Sequence, residues 1–395
     1  MRALLAPLLL AVATTAQADL SDDLAAHGLR ATESALAALP APTPSDRFAL
    51  GGVRFLAGLE RALQLRYRVG LSDGLATATG LPVLRLPLPE NPRPAAFEPP
   101  MIADLFAGIG TDMAGAIDAL APIADTDEVA VAIDTADLWF DIDADGARSP
   151  GEGLPDLLGW VLTGGFGEAT LPATTIRFDT ADAAWLSAYA HLLSAVSEAI
   201  LSLDPTAAIA RVQAARAAMD ALGRPKGQGW EAMGGEWADL AALWIGTIEG
   251  QPDPARTRSL RQHLLATVAD NRRFWTLVAR ETDDDREWIP NKAQTSATGL
   301  PFPPGTGPRW LAVLSDAERV LNGDLLIPFW RVGPGAGLDL AALLDDPPNL
   351  DLAGLIQGAT LVPYLREGPV ATGDSLRLFD ALLMGDSPLY AVVLN

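Results

Sequence analysis

FDTADAAWLSAYAHLLSAVSEAILSLD, residues 178–204, is the stretch of the chain most committed to helix. Trp185, Tyr189, Leu192, Val196 and Ile200 recur every three or four positions, which predicts one long helix buried along that stripe. Working upstream, EVAVAIDTADLWFDI (128–142) alternates at Val129, Val131 and Ile133 and again at Leu138, Phe140 and Ile142, a period of two that predicts extended structure. MIADLFAGIGTDMAGAIDALAPI (101–123) has helical periodicity weakened by Gly108 and Gly110. SDRFALGGVRFLAGLERALQL (45–65) places Phe48, Val53, Leu56, Leu59 and Leu63 on one helical face, with Ser45 or Asp46 available as N-cap.

Downstream, a second helix is expected from about Pro205 to Leu222, ended by the Gly-rich GRPKGQGWEAMGG (223–235). Helices resume near Trp237, within 258–281 and within 308–323. The last third mixes short helices with apolar extended runs, LLIPFW (325–330) and PLYAVVLN (388–395). The class is therefore mainly α with minority β (α+β): a large helical domain in which a strand leads into a distinctive loop. Residues 81–100 hold seven prolines and can be neither an ordinary helix nor a central strand. They predict a connector or an extended surface segment, the one possible internal boundary in an otherwise single integrated domain spanning 19–395.

MRALLAPLLLAVATTAQA (1–18) carries an early Arg2, an apolar run and small residues at Ala16 and Ala18, the pattern of a secretory signal peptide cleaved before Asp19. A secreted or periplasmic protein without a membrane span is expected. The net charge of −22 argues against nucleic acid or anionic lipid as partner, since both would be repelled. The absence of Cys removes thiol chemistry, thiolate metal sites and iron–sulfur clusters. His27, His191 and His263 are the only imidazoles and lie far apart in sequence, so a His-rich metal site is not expected unless folding brings two together.

The loop is DIDADGARSPGE, residues 141–152. Calcium takes six to eight oxygen ligands, and an EF-hand loop supplies them from positions 1, 3, 5, 7, 9 and 12 with Gly at 6 for the turn. Those positions are Asp141, Asp143, Asp145, the Ala147 carbonyl, Ser149 (through water) and Glu152, with Gly146 at the turn. Asp and Gly also dominate plain turns, but a turn has no need of the Glu at position 12. Arg148 at position 8, Pro150 at position 10 and the preceding strand-like segment depart from the paired sensor pattern. A solitary loop grafted on a larger scaffold is expected.

A second acidic cluster, ETDDDREWIPN, holds Glu281, Asp283, Asp284, Asp285, Glu287 and Asn291 beside Trp288. Neighbouring carboxylates raise one another's pKa, as in glycoside-cleaving pairs, and an exposed Trp can stack on a sugar. The competing expectation is a solvated acidic loop. GLSDG (70–74) matches the nucleophile-elbow pattern at Ser72 but lacks a buried strand before it and a helix after it. GDSL (373–376) has no His downstream and is set aside. No phosphate-binding or dinucleotide fingerprint occurs.

DLWFDIDADG, RFDTADAAWLSAYAHLL, ETDDDREWIPN and IPFWRVGPGAGLDL together resemble a family of secreted bacterial proteins that carry a solitary EF-hand-type calcium loop and with which no activity is associated. The resemblance spans about residue 130 to the C-terminus and implies one common architecture for these segments. The combined expectation is an exported calcium-binding protein of structural or binding type. The alternative is a carboxylate-dependent extracellular hydrolase, acting on a glycan or other polymer through residues 281–287.

Overall fold

A computed structural model of the chain describes residues 13–71, 86, 88–157, 173–223, 230–299 and 306–372. Ser72 and the GDSL segment lie outside the described residues, as do the PLYAVVLN run and most of the leader. The described fold is carried by helices α1 (Ala13–Ala37), α2 (Pro44–Val69), α3 (Met101–Leu120), α4 (Thr180–Leu203), α5 (Thr206–Asp220), α6 (Trp230–Ile248), α7 (Pro254–Val278), α8 (Thr306–Leu321), α9 (Leu340–Asp345) and α10 (Leu352–Gln357). The strands are short. β1 (Val131–Asp134) pairs antiparallel with β2 (Thr175–Phe178), and β3 (Ile327–Pro328), β4 (Ala336–Leu338) and β5 (Leu365–Glu367) form a second antiparallel sheet. The fold is mainly α with minor β, as the hydrophobic periods require.

Helix α4 is the hinge of the packing. It lies against α3 on one side and α7 on the other, and α3 in turn packs on α2. Ala183 and Leu186 join a core built from α1, α2, β1 and the loop neck, with Leu63, Phe140 and Ile142 among its members. Ala181 and Ala184, on the adjacent face, join a second core with Val268, Phe274, Trp275, Trp310 and Leu314. The buried positions are therefore largely Ala and Ser, which let helices approach on two sides, and the expected aromatic stripe is only partly buried: Val196 is 41% exposed. Among the described residues α4 is the one helix long and apolar enough to cross a membrane, and core helices of water-soluble domains share that composition.

Local chemistry sets the element ends. Thr43, not Ser45 or Asp46, caps α2: its hydroxyl accepts from the Asp46 N–H at 3.2 Å and the Asp46 carboxylate accepts from the Thr43 N–H at 2.8 Å. Pro44 at the first helical position fixes that start two residues earlier than expected, and Asp46 serves at the third position. Gly108 and Gly110 do not break α3, which is one continuous helix. Gly234 and Gly235 fall inside α6, so this helix begins at Trp230 rather than Trp237. Gly28 interrupts α1 with φ 71°, ψ −174°, and the Trp139 ring fills the notch: a Cβ there would stand 2.8 Å from Trp139 Cζ2. The Trp139 indole N–H donates to the Leu24 carbonyl at 2.8 Å, tying α1 to the strand-side entry of the loop.

The described part of the Pro-rich segment, 86 and 88–100, forms no helix or strand and meets the end of α2. Ala95 N–H donates to the Arg68 carbonyl and Asn91 to the Tyr67 carbonyl, at 2.8 and 2.9 Å, while Leu86 and Leu88 pack on the first core. This segment is a surface wrap.

Candidate metal centre

The loop 141–152 is closed at its neck by antiparallel pairing. Phe140 N–H donates to the Glu152 carbonyl at 2.9 Å and Leu154 N–H to the Leu138 carbonyl at 2.8 Å, around a bridge between Trp139 and Gly153. Trp139, Phe140 and Ile142 are all buried, so the neck is bolted into the first core while residues 143–148 stand in solvent. Only 131–134 of the expected long strand forms a regular ladder, because the chain turns at Thr135–Asp137 to reach the neck.

Inside the loop each aspartate folds the backbone around a common point. Asp141 Oδ2 accepts from Gly146 N–H at 3.1 Å, Asp143 Oδ1 from Asp145 N–H at 3.2 Å, and Asp145 Oδ1 from Ala147 N–H at 2.8 Å. Gly146 takes φ 79°, the left-handed turn its position demands, and Ala144 takes φ 62°. One carboxylate oxygen from each of Asp141, Asp143 and Asp145 lies within 4.8 Å of the other two. Asp141 Oδ1 is shielded from solvent and accepts no hydrogen bond. An orphaned carboxylate oxygen of that kind costs about 1–3 kcal/mol, more for a charged group, unless something satisfies it.

Helix α2 holds this corner from beneath. Gln64 donates to the Asp141 carbonyl at 2.8 Å and Glu60 Oε2 accepts the Asp141 N–H at 3.0 Å, one helical turn apart. Glu60 is 1% exposed, and burial pushes its carboxyl up to about 7, against the pull of the Asp141 N–H and of Arg30, whose Nε stands 3.7 Å away.

Glu152 departs from the expected ligand geometry. It is buried, and its carboxylate is spent on the backbone: Oε1 accepts from Ile142 N–H at 2.9 Å and Oε2 from Ser149 N–H at 2.6 Å. Burial raises its pKa, opposed by those two N–H donors. It is not among the three carboxylates that converge. Ser149 contributes its N–H inward to Glu152. Asp141, Asp143 and Asp145 thus fit a hard cation, while the contributions of Ala147, Ser149 and Glu152 remain those of the sequence pattern.

The second acidic cluster regroups on folding. Glu281 and Glu287 meet Asp179, with one oxygen of each within 4.8 Å of the others. Asp283 and Asp285 instead face Arg177 at 3.6 and 3.5 Å, and Asp284 accepts from Thr295. Asp179 was missed in the sequence because its role reads as the N-cap of α4, where Oδ1 accepts from Ala181 N–H at 2.7 Å. Burial, then the neighbouring Asp179 charge, pushes Glu281 up to about 7; burial raises Glu287 and carries buried Asp182 well above the carboxylate range. Asn291 braces the turn by donating to the Val278 and Glu281 carbonyls. Trp288 is no free stacking platform: it packs at 6.2 Å on Phe178 and edge-on at 5.8 Å to Trp185.

The chain matches no family model, no curated protein and no solved structure.

Proposed function

We propose that this protein binds calcium through the single EF-hand-like loop 141–152, and that the ion serves the fold rather than a reaction. The convergence of Asp141, Asp143 and Asp145 around a solvent-shielded, unpaired Asp141 oxygen carries this reading. Three carboxylates so placed repel one another, and a divalent cation converts that repulsion into attraction. The ion would lock a loop whose neck touches α1 through Trp139, α2 through Glu60 and Gln64, and β1 through the Thr135 turn. Export from the cell, proposed from the leader, would supply a calcium-rich surrounding, and the resemblance to secreted proteins with a solitary loop agrees with it. Extracellular modules of this kind bind at roughly 10⁻⁴ to 10⁻³ M.

Direct titration of the full chain with calcium chloride tests this. One saturable site is expected, weakened at least about tenfold in Asp143→Asn, which removes one of three charges. Absence of binding at 10-fold above the upper affinity bound, roughly 10 mM, would overturn the proposal. The hydrolase alternative gains less support: Asp179, Glu281 and Glu287 bring oxygens closer together than the roughly 5–9.5 Å that flanks a glycosidic bond, and Glu287 is 8% exposed.

A further inference from the structure

Helices α4 and α7 meet along three polar layers. Ser187 Oγ donates to Asp270 Oδ2 at 2.6 Å, His191 Nδ1 stands 2.9 Å from His263 Nδ1, and Glu198 accepts from Arg256 at 3.0 Å and from Ser259 at 3.4 Å. Residue numbers rise along one helix as they fall along the other, so the two run antiparallel and the imidazoles mark their middle. The rings are half-buried, 5.1 Å apart and inclined by 44°. At 2.9 Å the two Nδ1 atoms stand at hydrogen-bond distance, so one proton can be shared between them.

A bridge between two Nδ1 atoms needs one N–H and one lone pair. A first added proton can sit on the far nitrogen of the donating ring, leaving the bridge intact and charge-assisted. The second must take the accepting lone pair, which turns the bridge into two cationic N–H donors facing each other inside a helix interface. We propose that the His191–His263 pair is an acid-operated release of the α4–α7 interface, closed while it shares a proton and opened by the second protonation.

The surrounding charges set the range. Burial lowers both imidazoles; Asp270 partly offsets this for His191 and the His263 ring adds to it, while Glu198 partly offsets it for His263. Charged groups brought by the other packed helices are engaged elsewhere: Asp112 of α3 with Arg61 of α2, Arg54 of α2 with Glu33, Glu318 of α8 with Arg272, and Asp345 of α9 with Arg261. With folded pKa values below the unfolded value of about 6.5, the unfolded chain binds more protons as pH falls through that value. Stability is present above it and lost below it.

The test uses the full chain in chelator, with wild type, His191→Gln, His263→Gln and the double variant compared by urea denaturation at about pH 7.5 and 5.0. These pH values bracket the ordinary His range. Buried carboxyls such as Glu60 and Glu281 act with the opposite sign but equally in every protein, so the difference isolates the pair. For each pH unit by which the imidazoles are depressed, the wild-type folded-to-unfolded ratio should fall about tenfold further on acidification than that of the double variant. Nitrogen-resolved NMR titration of the wild type supplies a readout that no variant's folding can compromise. Two steps separated by more than about one unit are expected, with the bridge lost only at the second. Equal pH slopes in wild type and variants, or two imidazoles titrating independently near the unfolded value, would overturn the proposal.

Discussion

Removing calcium from the loop should cost a small and calculable stability. For an ion that binds only the folded chain, stabilisation is RT ln(1 + [Ca]/Kd), about 1.4 kcal/mol at ten times Kd and about 2.7 kcal/mol at a hundred times. An unfolding entropy near 2.1 cal/mol/K per residue gives a chain of 395 residues ~0.8 kcal/mol per degree. The melting temperature should therefore rise by about 2 °C at tenfold and about 3 °C at hundredfold excess. Asp141→Asn sharpens the test. The amide oxygen can still accept the Gly146 N–H seen at 3.1 Å, while one of the mutually repelling charges is gone. In chelator the variant should melt at or above the wild type; in calcium it should melt below. Scanning calorimetry at fixed ionic strength, with magnesium as a control, measures both. A wild type indifferent to 10 mM calcium, roughly tenfold above the weakest expected Kd, or a variant that tracks it in both buffers, would refute the reasoning.

Three further outcomes follow from the packing. Glu281→Gln should be increasingly stabilised over wild type as pH rises from 4.5 toward 7, because the wild-type carboxyl, held at about 7, must ionise in a buried acidic setting; urea midpoints across that range should diverge, and parallel profiles would refute it. Gly28→Ala, forced to φ 71° against Trp139, should lose about 2 kcal/mol or more and redden the emission of that indole, whereas an unchanged midpoint would show that the α1 kink straightens at no cost. Thr43→Ala should cost about 1 kcal/mol by removing half of the α2 capping box, measurable in the same denaturation series.

What the sequence disclosed depended on how far apart the cooperating residues lie. The loop's three aspartates converge through bonds spanning two to five residues, so their alternation and Gly146 encoded it locally. Helical class and the positions of α2, α3, α4 and α7 were legible for the same reason: a 3.6-residue period is a local property. Glu152 accepts two backbone N–H groups in the folded loop, a partnership that no motif records. Asp179 stands about a hundred positions from Glu281 and Glu287, and only the packing of α4 against the turn after α7 brings them together. The His191–His263 bridge likewise depends on helix register, which periodicity alone does not set. At α4 itself the aromatic spacing suggested one buried stripe, where a helix sandwiched on two sides buries alanines and serines.

That sandwiching has a consequence for how the molecule comes apart. Helix α4 donates Ala183 and Leu186 to one core and Ala181 and Ala184 to the other, so each core is missing a wall without it. On that arrangement the two cores should melt together, and heat or denaturant should meet one all-or-none transition, whereas two separate transitions would show that α4 does not couple them. A protease able to cut only the exposed Met219–Leu222 end of α5 should nick the protein without liberating a folded fragment.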